Sequence, residues 1–415
     1  MIPAVPPDTL AAFSLLTAAA VRERAHLILD AGLADRLEYF RVDLHRLGQA
    51  AEFTVAITRE AYPSLEIPFH SRWRHFAIDG DDRWIAVAGT ARWPCVAARA
   101  RAEFDLAVVS VLLDAGAGAT WRYRDAVTGR NIGRSEGLAL ASLAMFSGGL
   151  FSAKLSDKLR VDATKLAGLT SAALSDGLQA GSDNPLLGIA GRVDLLRRLG
   201  AAVSGAASIF ARNDDPRPGG LFDHLASLAS SGQISAATVL TEVLRHLGPI
   251  WPGRTVLGGV PLGDCWRHPA ITTGDATDQL MPLHKLSQWL TYSLIEPMER
   301  AGIVVTEIDG LTGLAEYRNG GLLIDTGALA LRDQAYVERQ HEVGSTLVVE
   351  WRALTVALLD RLAALVRRRL GRDVSQLPLP KILQGGTWAA GRAIARRLRA
   401  NGSPPLQVNS DGTVF

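Results

Sequence analysis

Cysteine is nearly absent from this sequence, and so is any excess of charge of one sign. Of its 415 residues only 2 are cysteine, Cys95 and Cys265. Neither has a second thiol close by in the sequence, which excludes a disulfide framework and a cysteine-based zinc site. The 44 basic and 42 acidic residues leave a formal net charge of +2, whereas nucleic-acid binding needs a strongly basic surface. We therefore expect a cytoplasmic protein that does not bind nucleic acid.

Long apolar runs are also missing. The longest weakly polar stretch, residues 137–151, carries no charge, but it is shorter than the roughly 18 to 20 residues that cross a bilayer. Serine and glycine interrupt it. We interpret it as a buried core helix, and we expect no membrane partner.

Helical periodicity is what the sequence has in abundance. Apolar residues recur at helical spacing over residues 97–113 and 344–369, the latter followed by Gly371 as a stop signal. Residues 9–30 predict one long helix or a helix pair, with Asp8 as the N-cap. Strand patterns are restricted to residues 83–88 and 322–325.

These patterns predict a mainly α fold with a large helical core and a few short strands. The chain is long enough for one domain or for two packed subdomains. Residues 213–220 combine prolines, glycines and charges, so they are the best candidate for a connection that would divide the chain near its middle.

The first of four unusual polar segments is residues 69–76, where Arg72 and His75 stand among aromatic residues. Cationic donors beside flat apolar rings suit an anionic or planar ligand. The alternative is a surface turn in which arginine and tryptophan stack. The spacing of His70 and His75 does not match the i,i+3 or i,i+4 spacing of helical metal ligands.

The second segment, residues 258–268, is rich in glycine and ends with a polar group: Asp264, Trp266, Arg267 and His268. Glycines let the backbone approach a ligand closely. The nucleotide-binding glycine motifs are absent, and a purely structural loop is the alternative.

The third segment, residues 281–290, leads into an apolar helix with His284, Lys285 and Gln288 around its first turn. A helix N-terminus and a lysine together can hold an anion such as phosphate. A solvated lysine is the alternative.

The fourth segment, residues 309–321, places Glu316 beside Tyr317 and Arg318 between glycine-rich bends. Such a frame can hold one carboxylate rigidly next to a developing positive charge. The alternative is a structural ion pair of Glu316 with Arg318. Glu136 is a weaker candidate, because a carboxylate that begins a helix commonly interacts with the helix dipole.

Common catalytic motifs are absent. The sequence has no GxSxG nucleophile elbow and no HExxH zinc helix. We therefore predict no metal ion and no cofactor.

Segments throughout the chain resemble a family of uracil-catabolism proteins, the fourth protein of the uracil-degradation gene cluster. The segments are PFHSRWRHF, SVLLDAGAGATWRYR, LGGVPLGDCWRHP, HKLSQWLTYSLIEP, GLTGLAEYRNGGL and ILQGGTWAAGR. The resemblance implies a pathway in which uracil becomes a nucleotide, its ring is opened, and a ribosyl-urea species is split to urea.

The order of several motifs also resembles, more distantly, the queuosine-salvage family, which cleaves the N-glycosidic bond of a nucleotide. In that family an aspartate stands at the position of Glu316 and is the presumed catalytic acid, and the counterparts of Lys285 and Gln288 are retained. This similarity implies a helical fold like that of the helical DNA-glycosylase-like and queuosine-salvage glycosidases.

Together these resemblances predict an N-glycosidase that hydrolyses ribosylurea or its 5′-phosphate. Glu316 and Asp309 are the predicted catalytic residues, with Asp309, Asp264 or Glu136 helping to protonate urea. Lys285, His284 and Arg318 are expected to hold a phosphate, and Trp121, Trp266 or Trp388 to cover the sugar or urea. The other predicted binding residues are Gln288, Tyr317, Arg267, His268, Arg72 and His75. The alternatives are an amidohydrolase acting on a ureido intermediate and a non-enzymatic binding or scaffold protein.

Overall fold

The structure is a computed structural model that describes residues 6–118, 120–154, 156–211, 215–251 and 255–409. Helices dominate it and strands are short, which confirms the predicted mainly α class. Within the described residues, no helix combines the length and the apolar character that crossing a membrane requires.

The α-helices are, in chain order, α1 (Pro7–Ser14), α2 (Ala18–Leu33), α3 (Leu47–Ala61), α4 (Arg83–Thr90), α5 (Val96–Leu112), α6 (Arg134–Ser147), α7 (Ala163–Ala167), α8 (Ser171–Gly177), α9 (Ile189–Gly205), α10 (Ala207–Phe210), α11 (Gly220–Leu228), α12 (Ala236–Leu247), α13 (Lys285–Arg300), α14 (Tyr317–Asp325), α15 (Thr346–Leu370), α16 (Leu379–Ile382) and α17 (Trp388–Leu398).

The strands form two-stranded ribbons between helices. They are β1 (Phe40–Val42), β2 (Ala77–Ile78), β3 (Asp81–Asp82), β4 (Arg122–Arg124), β5 (Asn131–Gly133), β6 (Gln233–Ser235), β7 (Val256–Leu257), β8 (Val260–Pro261), β9 (Cys265–Arg267), β10 (Leu280–Pro282), β11 (Val304–Thr306), β12 (Leu329–Leu331), β13 (Gln340–Glu342) and β14 (Gln407–Asn409). The pairs β1–β12, β2–β3, β4–β5, β7–β8 and β9–β10 are antiparallel, and β6–β11 and β13–β14 are parallel. Such short ribbons fix loops and do not form a sheet layer.

The chain divides into two compact units. The first contains the described residues of Met1–His70, Gly253–Gln288 and Glu307–Asn409, and the second those of Ser71–Pro252 and Trp289–Thr306. The connection predicted at 213–220 stays a prediction: Asn213 and Asp214 lie outside the described residues, and residues 215–220 belong to the second unit.

Helix α15 forms the centre of the first unit and packs against α2 and α3. It begins where Ser345 accepts a hydrogen bond from the N–H of Val348, and it ends at Gly371, whose φ of 65° is left-handed. Three arginines in its last turn complement the partial negative charge of the helix end. The predicted helix over 344–369 and its glycine stop are therefore confirmed.

Helix α14 packs closely against α17 and α15 in the same unit. A β-carbon on Gly391 of α17 would lie 2.1 Å from the carbonyl oxygen of Arg318, and one on Gly320 would lie 2.7 Å from the Trp351 ring. Both positions therefore need glycine for steric reasons. Gly320, which the sequence interpretation places in a glycine-rich bend, thus serves helix packing instead.

Helix α5 is deeply buried in the second unit and packs against α6, α9 and α11. Its range confirms the helix predicted over 97–113. The core helix predicted over 137–151 is α6, which ends earlier, at Ser147. Buried Asp105 on α5 accepts hydrogen bonds from Arg217 and from the N–H groups of Val161 and Gly219, so one carboxylate fixes two loops against the core helix.

Three local predictions are wrong. Residues 83–88 form helix α4 because Asp82 caps it, accepting hydrogen bonds from the N–H groups of Trp84 and Ile85. Residues 322–325 are the last turn of α14, where tertiary packing overrides the strand pattern. Residues 9–30 form the pair α1 and α2, but Asp8 lies inside α1, whose N-cap is Pro6.

The two cysteines are free thiols in different settings. Cys95 is exposed at the start of α5, whereas Cys265 is fully buried in β9. Burial raises the pKa of the Cys265 thiol. The two side chains therefore differ in access to reagents.

Candidate functional site

Glu316 is the N-cap of α14 in the first unit. Its carboxylate accepts hydrogen bonds from the backbone N–H groups of Arg318 (2.7 Å) and Asn319 (2.6 Å). Serine, threonine, aspartate and asparagine are the preferred N-caps, and glutamate is not. A longer acid at this position is therefore unusual for a purely structural cap.

Burial raises the pKa of the Glu316 carboxyl group above its usual value. The two backbone N–H groups and the positive charges of Lys285 and Arg318 offset part of that increase. The residue is only half-buried. Glu316 is therefore a rigidly held carboxylate that binds a proton more readily than an ordinary glutamate does.

The alternative considered for this segment, a structural ion pair of Glu316 with Arg318, is not what holds the carboxylate. The guanidinium of Arg318 donates to the carbonyl oxygen of Gly402 (2.9 Å) and lies 4.9 Å from the centre of the Tyr317 ring. Arg318 thus contributes its backbone N–H and a charge nearby, while its side chain connects α14 to the chain that follows α17.

Asn319 is a neighbour of Glu316 that the sequence interpretation missed. Its side chain is fully buried, and its Nδ2 donates to the carbonyl oxygen of Leu314 (3.1 Å). Among the described residues, its Oδ1 atom has no hydrogen-bond partner. An unpaired buried acceptor costs free energy, so this atom suits an N–H or O–H group of a ligand.

Lys285 begins α13, as predicted, and Asp264 fixes its backbone. The Lys285 N–H donates to Asp264 Oδ2 (3.0 Å), and the Asp264 carbonyl oxygen accepts from Leu283 and His284. Buried Arg352 binds both Asp264 oxygens, at 2.9 and 2.7 Å. Asp264 therefore positions the start of the helix that carries Lys285.

The environment of Asp264 keeps its carboxylate ionised. Burial alone would raise the pKa of Asp264, but the Arg352 charge and the hydrogen bonds from Arg352, Trp266 and Lys285 lower it to about 2. The Trp266 indole N–H donates to Asp264 Oδ1 (2.7 Å). At neutral pH this acid carries no proton that it could give to a leaving group.

His284 and Gln288 also contact protein groups. His284 Nε2 lies 3.0 Å from the carbonyl oxygen of Leu15, and burial lowers the pKa of the His284 imidazole. The Gln288 side chain accepts from the Thr312 N–H (2.8 Å) and donates to its Oγ1 (2.5 Å). Gln288 therefore positions the loop that precedes Glu316, and His284 supports the turn before α13.

Asp309 lies in the same segment as Glu316, but its carboxylate contacts groups that hold two helices in place. One carboxylate oxygen accepts from Arg367 (2.5 Å) and the other from the N–H of Leu379 (2.6 Å). Its side chain is 28% exposed. These contacts tie α15 to the start of α16.

The other residues of the first unit that the sequence predicts as binding residues contact groups other than Glu316. His268 is buried with its Nε2 3.3 Å from Glu350, and Arg267 is exposed. The Trp388 ring lies 6.0 Å from that of His70 and 5.1 Å from the guanidinium carbon of Arg392. None of these contacts links them to Glu316.

Arg72 and His75 belong to the second unit, in a buried network around Asp114. Arg72 pairs with Asp114 at 2.7 Å, and Ser135 Oγ lies 2.7 Å from the Asp114 carboxylate and 3.0 Å from His75 Nδ1. Burial raises the pKa of Asp114 and lowers that of Arg72. Glu136 acts electrostatically on both charges. Asp114 and Ser135 were missed because nothing in their sequence neighbourhood marks them as polar partners.

Trp121 is also in the second unit. It is fully buried, donates its indole N–H to the carbonyl oxygen of Leu178 (3.0 Å), and packs against Gly137. The structure thus brings together Glu316, Lys285, Asp264, Trp266 and Arg318 in the first unit, while Arg72, His75, Glu136 and Trp121 belong to the other.

The first unit also has a surface cleft of about 950 Å³. Its lining includes Arg41, Arg46, Phe53 and Asp325, and Glu316 is not among the lining residues. The cleft is therefore separate from the surroundings of Glu316.

Comparison with known proteins gives matches over nearly the whole chain. The family described as "Protein of unknown function (DUF1688)" matches residues 14–415. Protein urg3 of Schizosaccharomyces pombe (strain 972 / ATCC 24843) is 38% identical over 409 residues, 97% of this chain and 98% of that protein. Uracil catabolism protein 4 of Lachancea kluyveri is 37% identical over 414 residues, 91% of this chain and 92% of that protein. These matches confirm the resemblance inferred from the motifs.

Proposed function

Since the chain belongs to the family described as "Protein of unknown function (DUF1688)", and a relative in Lachancea kluyveri is named for uracil catabolism, we propose that this protein also takes part in uracil catabolism. We further propose that it is an N-glycosidase acting on ribosylurea or its 5′-phosphate. The products are urea and ribose or ribose 5-phosphate.

The environment of Glu316 carries this proposal. Cleavage of a ribosyl–nitrogen bond builds positive charge on the sugar, which a fixed carboxylate stabilises. Two backbone N–H groups fix the Glu316 oxygens, and burial raises the pKa of the group. A carboxylate held this way needs no rearrangement when the charge develops.

The proposed reaction consumes one water molecule. The bond between the anomeric carbon and the urea nitrogen breaks, and a water oxygen bonds to the anomeric carbon. Glu316 accepts one proton of that water and returns it to solvent, and the departing urea nitrogen takes up one proton from solvent, so that one water molecule supplies the whole balance. Asp264 is not assigned to deliver this proton, because its pKa of about 2 leaves it ionised. Asp309 is given no step, because its carboxylate forms an ion pair with Arg367 and ties α15 to the start of α16.

Lys285 and Asn319 support substrate binding in this proposal. Lys285 carries a positive charge that acts on Glu316 from the first turn of α13, so it can attract a phosphate and keep Glu316 ionised. The buried Oδ1 atom of Asn319 can accept a hydrogen bond from a urea N–H or a ribose hydroxyl group.

The test is to incubate the purified, tag-free protein with ribosylurea and with its 5′-phosphate, with and without a chelator. Urea and reducing sugar should appear in equal amounts. Ammonia as the first product would instead indicate an amidohydrolase. Saturable binding of either compound without turnover would indicate a binding protein, and both of these outcomes contradict the proposed glycosidase.

A further inference from the structure

A second cluster of ionisable side chains lies in the second unit, among residues that the proposed glycosidase does not use. His224 on α11 and Glu242 and His246 on α12 bring one ligand atom each to within 4.8 Å of one another. We infer that these three side chains form a divalent-cation site that takes Zn²⁺. This inference is independent of the proposed function.

The positions follow from helix geometry. Glu242 and His246 are separated by one helical turn and therefore lie on the same face of α12. That spacing is visible in the sequence, but His224 is too far away in the chain for the trio to be recognised. Helix α11 supplies His224, whose ring lies 5.2 Å from that of His246 at an interplanar angle of 86°.

The ligand atoms converge on one carboxylate oxygen. His224 Nε2 lies 2.7 Å and His246 Nε2 3.1 Å from Glu242 Oε2. The other oxygen, Oε1, lies 3.3 Å from Arg245, so an outer hydrogen bond can orient the carboxylate while Oε2 faces the imidazoles. Orienting contacts of this kind are typical of the groups that surround metal ligands.

The ligand set favours zinc. Two imidazole nitrogens and one carboxylate oxygen are a set that Zn²⁺ uses when three protein ligands leave a fourth position for water or another ligand. The His224, Glu242 and His246 side chains are 19%, 10% and 23% exposed. An ion can therefore reach the cluster from solvent without unfolding of the helices.

The competing explanation is a purely structural one. Without a metal ion, each imidazole can donate an N–H to Glu242 and so connect α11 to α12. Replacing a histidine with glutamine separates the two explanations, because the glutamine amide keeps an N–H donor for Glu242 but is a much poorer zinc ligand.

The experiment is equilibrium dialysis of the tag-free, chelator-treated full-length protein against Zn²⁺, with Co²⁺ as a spectroscopic substitute. The wild-type protein should bind one equivalent of Zn²⁺, show the intense visible absorption of low-coordinate Co²⁺, and unfold at a higher temperature when zinc is present. The variants His224→Gln and His246→Gln should lose that equivalent.

His45→Gln is the matched control, because His45 is an exposed histidine of the first unit. It should bind zinc like the wild type. The inference is overturned if the wild-type protein takes up no stoichiometric zinc. It is also overturned if His246→Gln retains the bound equivalent, or if His45→Gln loses it. The wild-type measurement decides the question even where a variant fails to fold.

Discussion

Asp264 and Glu316 are two acids of the first unit that both interact with Lys285. Their environments shift their pKa values in opposite directions. Asp264 is clamped by the guanidinium of Arg352, and its pKa falls to about 2. Glu316 is bound by backbone N–H groups, and burial raises its pKa. Carboxyl groups whose environments push their pKa values apart commonly have separate tasks. In the proposed reaction, Asp264 therefore holds the site in place and Glu316 acts on the substrate.

The strongest test of this comparison is Glu316→Gln. The change removes the charge and keeps the shape of the side chain, with an amide nitrogen in place of one carboxylate oxygen. We expect turnover of ribosylurea to fall at least ~100-fold, as is typical when a catalytic acid or base is lost. The measurement is the rate of urea release, with the unfolding midpoint in denaturant as the check on folding.

A matched variant separates catalysis from capping. Glu316→Ser introduces a preferred N-cap without a carboxylate, so α14 should stay intact while turnover is lost. Activity that survives in Glu316→Ser would reassign Glu316 to helix capping and leave the proposed reaction without its base.

Asp264→Asn should mainly lower the stability of the fold, whereas the Glu316 variants mainly lower turnover. It leaves the Arg352 guanidinium buried, 1% exposed, without its carboxylate. Removing one partner of a buried ion pair typically costs about 3 to 5 kcal/mol. Chemical denaturation of this variant and of the wild type measures the loss. An unchanged free energy of unfolding would show that Asp264 is not the structural acid of the pair.

The pH dependence of stability should report the same ion pair. The pKa of Asp264 is lowered in the folded state, from 3.8 to about 2. Its contribution to folding stability is therefore fully present at a pH above the pKa of the unfolded state. That contribution is lost as the pH falls through the pKa of the folded state. The contribution is about 2 kcal/mol. The difference in unfolding free energy between the wild type and Asp264→Asn should therefore narrow as the pH falls from about 5 through about 2. Parallel curves across that window would contradict the lowered pKa.

The smallest expected effect is a shift in the pH profile of the reaction. Lys285 lowers the pKa of Glu316, so Lys285→Met should raise it. Since a base works only when it is deprotonated, the acid limb of kcat/KM should move to higher pH. KM should also rise more for the phosphorylated substrate than for the free riboside.

The control for this variant is Lys165→Met, which removes an exposed lysine of α7 in the second unit. Its profile should match that of the wild type. An acid limb that stays in place in Lys285→Met would mean that Lys285 does not act on the catalytic group.

Some of this arrangement was predictable from the sequence, and the reasons are local. The bounds of α15 and its stop at Gly371 follow from apolar periodicity and a left-handed glycine. Lys285 at the start of α13 follows from the change in pattern after residue 284. Both signals lie within one or two helical turns and need no contact between distant segments.

The remainder depends on contacts that are distant in sequence. Asp264 and Arg352 are 88 positions apart, and Arg352 lies inside an unremarkable stretch of α15, so no motif could connect them. The helix α4 was mistaken for a strand because its β-branched residues outweighed the capping aspartate in the pattern. Glu316 was recognised as an important acid, but its capping geometry was not, because glutamate is an uncommon N-cap.

The two free thiols give the chain a built-in pair of chemical probes. Exposed Cys95 in the second unit is open to a thiol-specific dye at once, whereas Cys265, at the end of the loop that contains Asp264, reacts only when the first unit opens. The rate at which a second dye molecule attaches therefore records how often the first unit opens around Asp264. The wild-type sequence thus allows opening around Asp264 to be timed without an engineered cysteine.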